Sequence, residues 1–297
     1  MRRFLFIVIA GVIGFTPALV SAQTATPTAT PLPTLTATSS ASQTPTPVEY
    51  LVPEVLNTYP HDTTAFTEGL IYHDGLLYES AGETGKSDLR EVELKTGKVL
   101  RRTLLSPDSF AEGLALVDNR LIQLTWREQT AFIYDPDSFK QVDTFTYDGE
   151  GWGLCYDGDV LWRSDGTDTL TAHDSQTFAT IRKLPITYQG YSLNEVATQN
   201  GRPINLVNEL ECVDGLIYAN VWFTDYILRI DPATGDITGI IDASQLLTKD
   251  ERAAILAQDT DFVLNGIAYN PDSQTFYLTG KSWPKLFEVK FTSVSKP

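Results

Sequence analysis

Carboxyl, amide and ammonium side chains recur at the starts or ends of short segments of this chain, where their types could support chemistry. Glu68 and Glu112 each stand directly before a glycine, and a carboxyl group can carry a proton as a general acid or base. Asn208 and Lys281 are donors that could meet an oxygen as it becomes negative during a reaction. These side chains also have structural uses, since a glutamate can neutralise a buried donor and an asparagine can hold a turn. The pattern by itself leaves both interpretations open.

Other catalytic arrangements are not evident in the sequence. The three histidines, His61, His73 and His173, show no paired spacing, and they form no zinc set with Cys155 and Cys212. No Ser-His-Asp order, nucleophile elbow or phosphate-binding glycine loop stands out. We therefore expect no required cofactor, and a structural calcium held by backbone carbonyls stays open as an alternative.

The chain contains five segments of similar sequence pattern, and the side chains named above lie in or next to them. They begin at Thr67, Ala111, Gly151, Asn208 and Leu264, and each continues through a strand, a turn and further strands. Asp-Gly turns between runs of Val, Ile, Leu and aromatic residues are typical of β-hairpins. Four antiparallel strands per repeat, arranged radially, make a propeller. The sequence therefore predicts an all-β, five-bladed β-propeller with four-stranded antiparallel blades.

The ends of the repeats and one insertion are also predictable. Thr248 and Glu251 form a capping box before a run of helix formers, which predicts one short inserted helix near residues 248–258. The last repeat has only three strands before the chain ends, and residues 48–56 are a spare strand. We predict that this N-terminal strand completes the last blade, because that pairing removes an open sheet edge.

The chain has two cysteines at what the repeats suggest are matching places. Cys155 lies three residues after Trp152, and Cys212 lies three residues after Glu209. Equivalent positions in neighbouring blades should point in the same rotational sense, whereas a disulfide needs Cβ atoms that face each other. We therefore expect two free, buried thiols.

Three parts of the chain differ in composition. Residues 1–22 combine two arginines, an apolar run and a small-residue end, which is typical of a cleaved signal peptide. Residues 23–47 are almost entirely Thr, Pro, Ala, Ser and Gln, which indicates a disordered spacer. Residues 48–297 hold the repeats, and their number suits one β-propeller domain. We expect an exported protein, secreted or periplasmic, with an uncleaved N-terminal tether as the alternative.

The formal net charge of −16 limits the classes of partner. A strongly acidic surface disfavours contact with nucleic acid or with an anionic membrane. We therefore expect no nucleic-acid partner and no membrane contact beyond an N-terminal tether. We also expect a monomeric protein.

Nine sequence motifs, in order along the chain, resemble those of the glutamine cyclotransferases of plants and bacteria. The resemblance covers about Tyr59 to Phe291. The motifs are Tyr59-Pro60-His61-Asp62 with Ala65-Phe66-Thr67, Leu77-Tyr78-Glu79-Ser80, Gln123-Leu124-Thr125-Trp126, Glu150-Gly151-Trp152-Gly153-Leu154, Leu161 to Gly166, Asn208-Glu209-Leu210-Glu211, Ala219-Asn220-Val221-Trp222, Asn265-Gly266-Ile267-Ala268-Tyr269, and Thr279 to Glu288. The resemblance implies a β-propeller that converts the N-terminal glutamine of peptides or proteins to pyroglutamate with release of ammonia, by metal-independent acid/base catalysis.

The same resemblance implies roles for nine residues. The acid/base carboxylate falls on Glu112, and Asn208 and Lys281 join it as catalytic residues. The implied substrate-binding residues are Phe66, Glu68, Phe110, Trp126, Trp152 and Trp222. The aromatic residues among them would wall a small, dry pocket, with packing between blades as the structural alternative. Asn208, Lys281 or a tryptophan indole N–H would meet the developing oxyanion.

Two positions depart from the family pattern. Glu68 stands where the family commonly has glutamine, and Ala111 stands where it commonly has glycine. A second carboxyl near Glu112 would raise one pKa through like-charge repulsion, so it stays open which of the two carries the catalytic proton. Two other functions stay open as alternatives. One is a non-catalytic propeller that binds peptides or cell-wall components, and the other is a metal-dependent hydrolase or lactonase.

Overall fold

The computed structural model describes residues 47–196, 198–199, 202–203 and 206–295. The predicted signal peptide and nearly all of the predicted spacer lie outside these residues. The described chain is mostly β-strand, joined by tight turns. In the Asp74-Gly75 and Asp214-Gly215 turns both residues have positive φ, with values of 50° and 84° in the first and 50° and 77° in the second. Such turns match the twist of the flanking strands, so they build the hairpins that the sequence predicts.

Twenty-four strands and two helices are assigned in the described residues. The strands, in chain order, are β1 (Glu49–Pro60), β2 (Thr67–His73), β3 (Leu76–Ala81), β4 (Asp88–Glu93), β5 (Lys98–Leu104), β6 (Ala111–Val117), β7 (Arg120–Thr125), β8 (Thr130–Asp135), β9 (Lys140–Thr146), β10 (Leu154–Tyr156), β11 (Val160–Arg163), β12 (Thr169–Asp174), β13 (Thr180–Pro185), β14 (Thr187–Tyr188), β15 (Tyr191–Ser192), β16 (Thr198–Gln199), β17 (Arg202–Pro203), β18 (Val207–Val213), β19 (Leu216–Val221), β20 (Tyr226–Ile230), β21 (Ile237–Asp242), β22 (Leu264–Asn270), β23 (Thr275–Gly280) and β24 (Lys285–Val294). The helices are α1 (Leu193–Val196) and α2 (Lys249–Leu256).

Three sheets of four antiparallel strands come first in the chain: β2 to β5, β6 to β9, and β10 to β13. Two short hairpins, β14 with β15 and β16 with β17, form the insertion that follows them. The remaining strands form one eight-stranded sheet in the order β18-β19-β20-β21-β1-β24-β23-β22. The chain is therefore all-β with few helical residues. We call β2, β6, β10, β18 and β22 the first strands.

The N-terminal strand joins the two halves of the eight-stranded sheet. β1 pairs antiparallel with β24 from Tyr50 to Pro60, and so lies fourth beside β22, β23 and β24. It also pairs parallel with β21, at Glu49 to Leu51. Neither edge of β1 is left open there, which removes a surface that could pair with another chain.

Five hydrophobic clusters lie between successive groups of four strands. Trp162 of the third sheet packs in one cluster with Ile217 of β19, and Leu121 of the second sheet packs with Leu89 of the first. A further cluster contains residues of the last group and of the first group, including Tyr277 of β23. Because each group packs both faces against its neighbours, inner strands such as β6 and β7 are buried nearly throughout, whereas the fourth strands β5, β9 and β13 are mostly exposed.

The inserted helix lies where the capping box predicts it. Thr248 is the N-cap of α2, and the reciprocal bonds of the capping box with Glu251 are both present. Arg252 of the helix donates to Asp225 at 2.7 Å, which fixes the helix against the turn after β19. No helix in the described part of the chain is long and apolar enough to cross a membrane.

The expectation of two free thiols is wrong, because Cys155 and Cys212 form a disulfide with Cα atoms 5.4 Å apart. The error lies in the register of the fourth repeat. Trp222 N donates to Leu206 O just as Trp126 N donates to Phe110 O, so it is Asn208, and not Glu209, that matches the second residue of the other first strands. Cys212 is therefore one residue further along its strand than Cys155. A shift of one residue turns a side chain to the opposite face, so the two cysteines face each other across neighbouring sheets.

Candidate active site

One cavity of about 380 Å³ collects all nine side chains that the sequence singles out. Its lining consists of Phe66, Glu68, Phe110, Glu112, Trp126, Trp152, Asn208, Trp222 and Lys281, together with Glu83, Thr84, Lys86, Asp259 and Asp261. Its volume is that of a pocket for one small group, such as one amino-acid side chain with its backbone.

Two sets of equivalent positions supply the polar side chains. Glu68, Glu112 and Asn208 are each the second residue of a first strand, namely of β2, β6 and β18. Trp222 and Lys281 directly follow the second strand of their groups, β19 and β23. In an antiparallel hairpin the start of one strand and the end of the next lie at the same edge. The repeat therefore brings these side chains to one edge of the sheets.

Glu68 forms a buried ion pair with Lys281. Lys281 Nζ donates to Glu68 Oε1 at 2.7 Å, and the two side chains are 4% and 2% exposed. Asn265 Nδ2 donates to the other carboxylate oxygen at 3.0 Å. Lys281 Nζ also lies 4.5 Å from the ring centre of Phe66 and 5.4 Å from that of Trp222. Fixed donors thus hold the Glu68 carboxylate in place from several sides.

Glu112 has a different environment in the same cavity. Its side chain is buried, and no hydrogen bond to its carboxyl group is found among the described residues. Burial and then the neighbouring Glu68 raise the pKa of Glu112 well above its ordinary value, against the opposing effect of Lys281. Burial also raises the pKa of Glu68 to about 7, and Lys281 limits that rise. Because Glu68 has the cation, Glu112 is the carboxyl that keeps its proton at neutral pH.

The aromatic side chains pack edge to face around the cavity. The ring centres of Trp152 and Trp222 are 5.2 Å apart, and those of Phe66 and Phe110 are 6.1 Å apart. The Phe110 ring in turn lies 5.8 Å from that of Trp126. Such contacts make a rigid, apolar wall around the two carboxyl groups.

Two further carboxylates orient the three indole rings. Glu150 Oε2 accepts the indole N–H of Trp126 at 2.7 Å and that of Trp152 at 3.1 Å. Asp261 Oδ1 accepts the indole N–H of Trp222 at 2.7 Å. The idea that an indole N–H meets a developing oxyanion therefore does not fit the geometry. Asn208 and Lys281 are the predicted donors that remain.

Three residues of the site, Glu150, Asp261 and Asn265, are absent from the nine predicted ones. Glu150 and Asn265 stand inside motifs that carry the family resemblance, so a signal for them existed. Asp261 lies between α2 and β22, outside any repeat, and the sequence holds no sign of its contact with Trp222.

The histidines have structural partners. His61 Nδ1 bonds with Trp283 O at 2.7 Å and Nε2 with Glu79 at 3.0 Å, while His173 Nδ1 bonds with Phe178 O at 2.9 Å. Within the described ranges, no group of three or more His, Cys, Asp or Glu side chains is arranged to hold a metal ion.

Comparisons with known proteins identify the family to which this chain is similar. A family model described as glutamine cyclotransferase matches residues 28–291. The chain is 40% identical over 245 residues to a glutaminyl-peptide cyclotransferase of Arabidopsis thaliana, which covers 82% of this chain and 72% of the relative. It is also 40% identical to a glutaminyl cyclase of Myxococcus xanthus of known crystal structure. That match has a TM-score of 0.72 and covers 84% of this chain and 100% of the other.

Proposed function

The chain belongs to the glutamine cyclotransferase family and is a glutaminyl-peptide cyclotransferase, and from this premise we propose how its cavity closes an N-terminal glutamine to pyroglutamate. The observation that carries the proposal is the buried Glu112 carboxyl, which faces the cavity beside a carboxylate already paired with Lys281. The protonated Glu112 carboxyl lies beside the Glu68–Lys281 ion pair. From there it can transfer a proton between the α-nitrogen of the substrate and the carboxamide nitrogen that leaves.

The scaffold of this site is, in our proposal, a five-bladed β-propeller. Its support is the number of four-strand groups and the five hydrophobic clusters that lie between successive groups, the last of which returns to the first. The cavity then lies at one mouth of the central channel, where the first strands begin.

Binding of the substrate begins with its amine and its side chain. The free α-amine has a pKa of about 7.7–8.0, so a useful fraction is neutral and nucleophilic near neutral pH. The aromatic wall of Phe66, Trp126, Trp152 and Trp222 folds the glutamine side chain back towards that amine. Because attack is intramolecular, holding this geometry supplies much of the rate enhancement.

The proton transfers balance with one carboxyl group. The α-nitrogen forms a bond to the carboxamide carbon, and the carboxamide oxygen becomes negative. Lys281 and Asn208 lie in the cavity wall as donors for that oxygen. Glu112 gives its proton to the departing nitrogen and takes one from the new ring nitrogen, so the bond to the leaving group breaks and ammonia departs.

Glu68 is the less suitable proton carrier of the two. Lys281 and Asn265 already occupy its two carboxylate oxygens, which favours its anionic form against the effect of burial. In our proposal this fixed anion keeps Glu112 protonated until the substrate arrives, since two neighbouring carboxyls resist losing both protons.

The test is ammonia release from a short peptide with N-terminal glutamine, with and without a chelator. Glu112→Gln should lower kcat by roughly 100-fold or more, the usual share of general acid/base catalysis, while peptide binding persists. Glu128→Gln is the matched control, because Glu128 is an exposed carboxylate whose charge also acts on Glu112.

Two outcomes would contradict the proposal. Full activity of Glu112→Gln would remove Glu112 from the chemistry. Folded wild-type protein that binds the peptide without releasing ammonia would instead favour a binding propeller, and release that the chelator abolishes would favour a metal-dependent enzyme.

The setting of the enzyme is also proposed. We infer that the protein is exported, secreted or periplasmic, with residues 1–22 as signal peptide or tether and residues 23–47 as spacer. The Cys155–Cys212 disulfide supports an oxidising compartment. We further propose a monomer that needs no cofactor and acts on peptides or proteins with N-terminal glutamine.

A further inference from the structure

The first strand of the fourth group differs from the others at one position. Where β18 has Glu209, each of the other four groups has a glycine on its first strand or directly before it. The glycines are Gly69, Gly113, Gly153 and Gly266, and Gly153 directly precedes β10. A Cβ at Gly113 would lie 2.5 Å from Leu154 N, and one at Gly153 would lie 2.1 Å from Asn208 O. Neighbouring first strands therefore meet backbone to backbone at Gly113 and Gly153, whereas β18 presents a long side chain at the equivalent position.

The Glu209 carboxylate connects three first strands. Its side chain is 1% exposed. Oε1 accepts the backbone N–H of Leu70 on β2 at 3.3 Å, and Oε2 accepts that of Ile267 on β22 at 2.9 Å. Burial and the neighbouring Glu211 raise the pKa of Glu209 well above its ordinary value, and the two accepted bonds lower it. Each carboxyl oxygen can accept a bond through its lone pairs, so both bonds form at once.

Two of these strands carry Glu68 and Asn208, which line the cavity, and the third carries Asn265, which bonds with Glu68. Leu70 lies two residues after Glu68, Ile267 lies two residues after Asn265, and Glu209 directly follows Asn208. Asn265 donates to Glu68 at 3.0 Å, and hydrogen bonding from the Asn208 side chain lowers the pKa of Glu68 against the effect of burial. The strand spacing that Glu209 sets is thus also the spacing of the donors around Glu68.

We propose that Glu209 is a positioning residue for the cyclisation, holding β2, β18 and β22 at the spacing that keeps the Glu68 carboxylate and its donors in register beside Glu112. The role rests on the function proposed above. A displacement of about 1 Å in such a site can cost roughly 100-fold in rate. Glu209 has this effect without touching the substrate.

Glu211 provides a matched control on the same strand. It lies two residues further along β18, and its Oε1 accepts the backbone N–H of Tyr269 on β22 at 2.9 Å. A glutamine at position 211 can keep this bond through its carbonyl oxygen. A glutamine at position 209 can serve only one of the two partner strands, because its amide nitrogen is a donor and would face a second donor.

The experiment compares Glu209→Gln with Glu211→Gln in the full-length protein. Both kcat and KM for an N-terminal glutamine peptide are measured per folded molecule, together with the pH profile of kcat. Glu209→Gln should lower kcat at least 10-fold, change KM less than 3-fold because the aromatic wall stays in place, and move the pH profile. Glu211→Gln should stay within 2-fold of wild type in both constants.

A merely structural role for Glu209 predicts a different result, namely fewer folded molecules with unchanged kcat and pH profile in those that remain. That result, or equal losses in the two variants, would overturn the proposal. If Glu209→Gln does not fold, Glu209→Gly, the residue of the other first strands, takes its place with the same expected loss of kcat. Absence of ammonia release by wild type would instead overturn the proposed function.

Discussion

The second residue of a first strand is a glutamate on two sides of the cavity, and the two glutamates have opposite surroundings. On the side of β2 and β22, Glu68 is surrounded by Lys281 and Asn265 and has a partner for each oxygen. On the side of β6, Glu112 stands at the equivalent place, and no donor to it is found in the part of the chain that the structure describes. Identical residue types at equivalent positions thus acquire different pKa values, because neighbouring strands supply donors to one and none to the other.

The largest effect should come from Lys281→Met, which removes the cation beside Glu68 and makes its surroundings resemble those of Glu112. Removing one partner of a buried ion pair leaves an uncompensated charge, so we expect a loss of about 3–5 kcal/mol in the free energy of unfolding. Urea unfolding measures it. The double variant Lys281→Met with Glu68→Gln should recover much of the loss, and a cost below about 1 kcal/mol for the single change would show that Glu68 does not depend on the cation.

A smaller effect is expected in the pH dependence of stability. The pKa of Glu68 is raised from 4.5 to about 7, so its contribution to stability is fully present below pH 4.5 and is lost as pH rises through about 7. Relative to Glu68→Gln, wild type should therefore lose stability between these values, on the order of 2 kcal/mol. Unfolding curves at several pH values test this, and curves for the two proteins that run parallel with pH would contradict it.

The smallest effect should come from the aromatic wall that both sides share. Glu150→Ala removes the acceptor of two indole N–H groups, and we expect KM to rise roughly 5- to 30-fold, the equivalent of about 1–2 kcal/mol, with a smaller change in kcat. Glu128→Ala, which removes an exposed charge nearby, is the control. An equal rise of KM in both variants would assign the effect to charge and not to the orientation of the rings.

Much of the site was accessible from the sequence, because the motifs that carry the family resemblance identify the nine side chains that line the cavity. Hairpin turns such as Asp74-Gly75 and the capping box at Thr248 act locally, so their structures follow from a few neighbouring residues. The family resemblance, more than the repeat, separates Trp126 and Trp152 from tryptophans that only pack in a core.

The remaining features depend on contacts that no local pattern records. The sequence pattern matches Glu209 to Trp152, which is one residue out of register and therefore conceals the disulfide. The backbone bond from Trp222 N to Leu206 O fixes the register of the fourth repeat. Asp261 lies in an insertion without a repeat, so its bond to Trp222 follows from tertiary structure alone. The roles of Glu68 and Glu112 also depend on which strand lies beside each, which the sequence does not state.

The pairing of β1 with β24 has a consequence for how the protein is made. Val52 O accepts a hydrogen bond from Thr292, 240 positions later. Strand β1 therefore leaves the ribosome long before its partner strand β24 has been synthesised. Every earlier sheet can form as it is synthesised, but this one waits for the end of translation. The entropy of closing so long a loop grows only slowly with its length, so the wait costs time more than stability. Until then the edge of β1 that β24 covers stays open, and a chain cut short before β24 would keep it open.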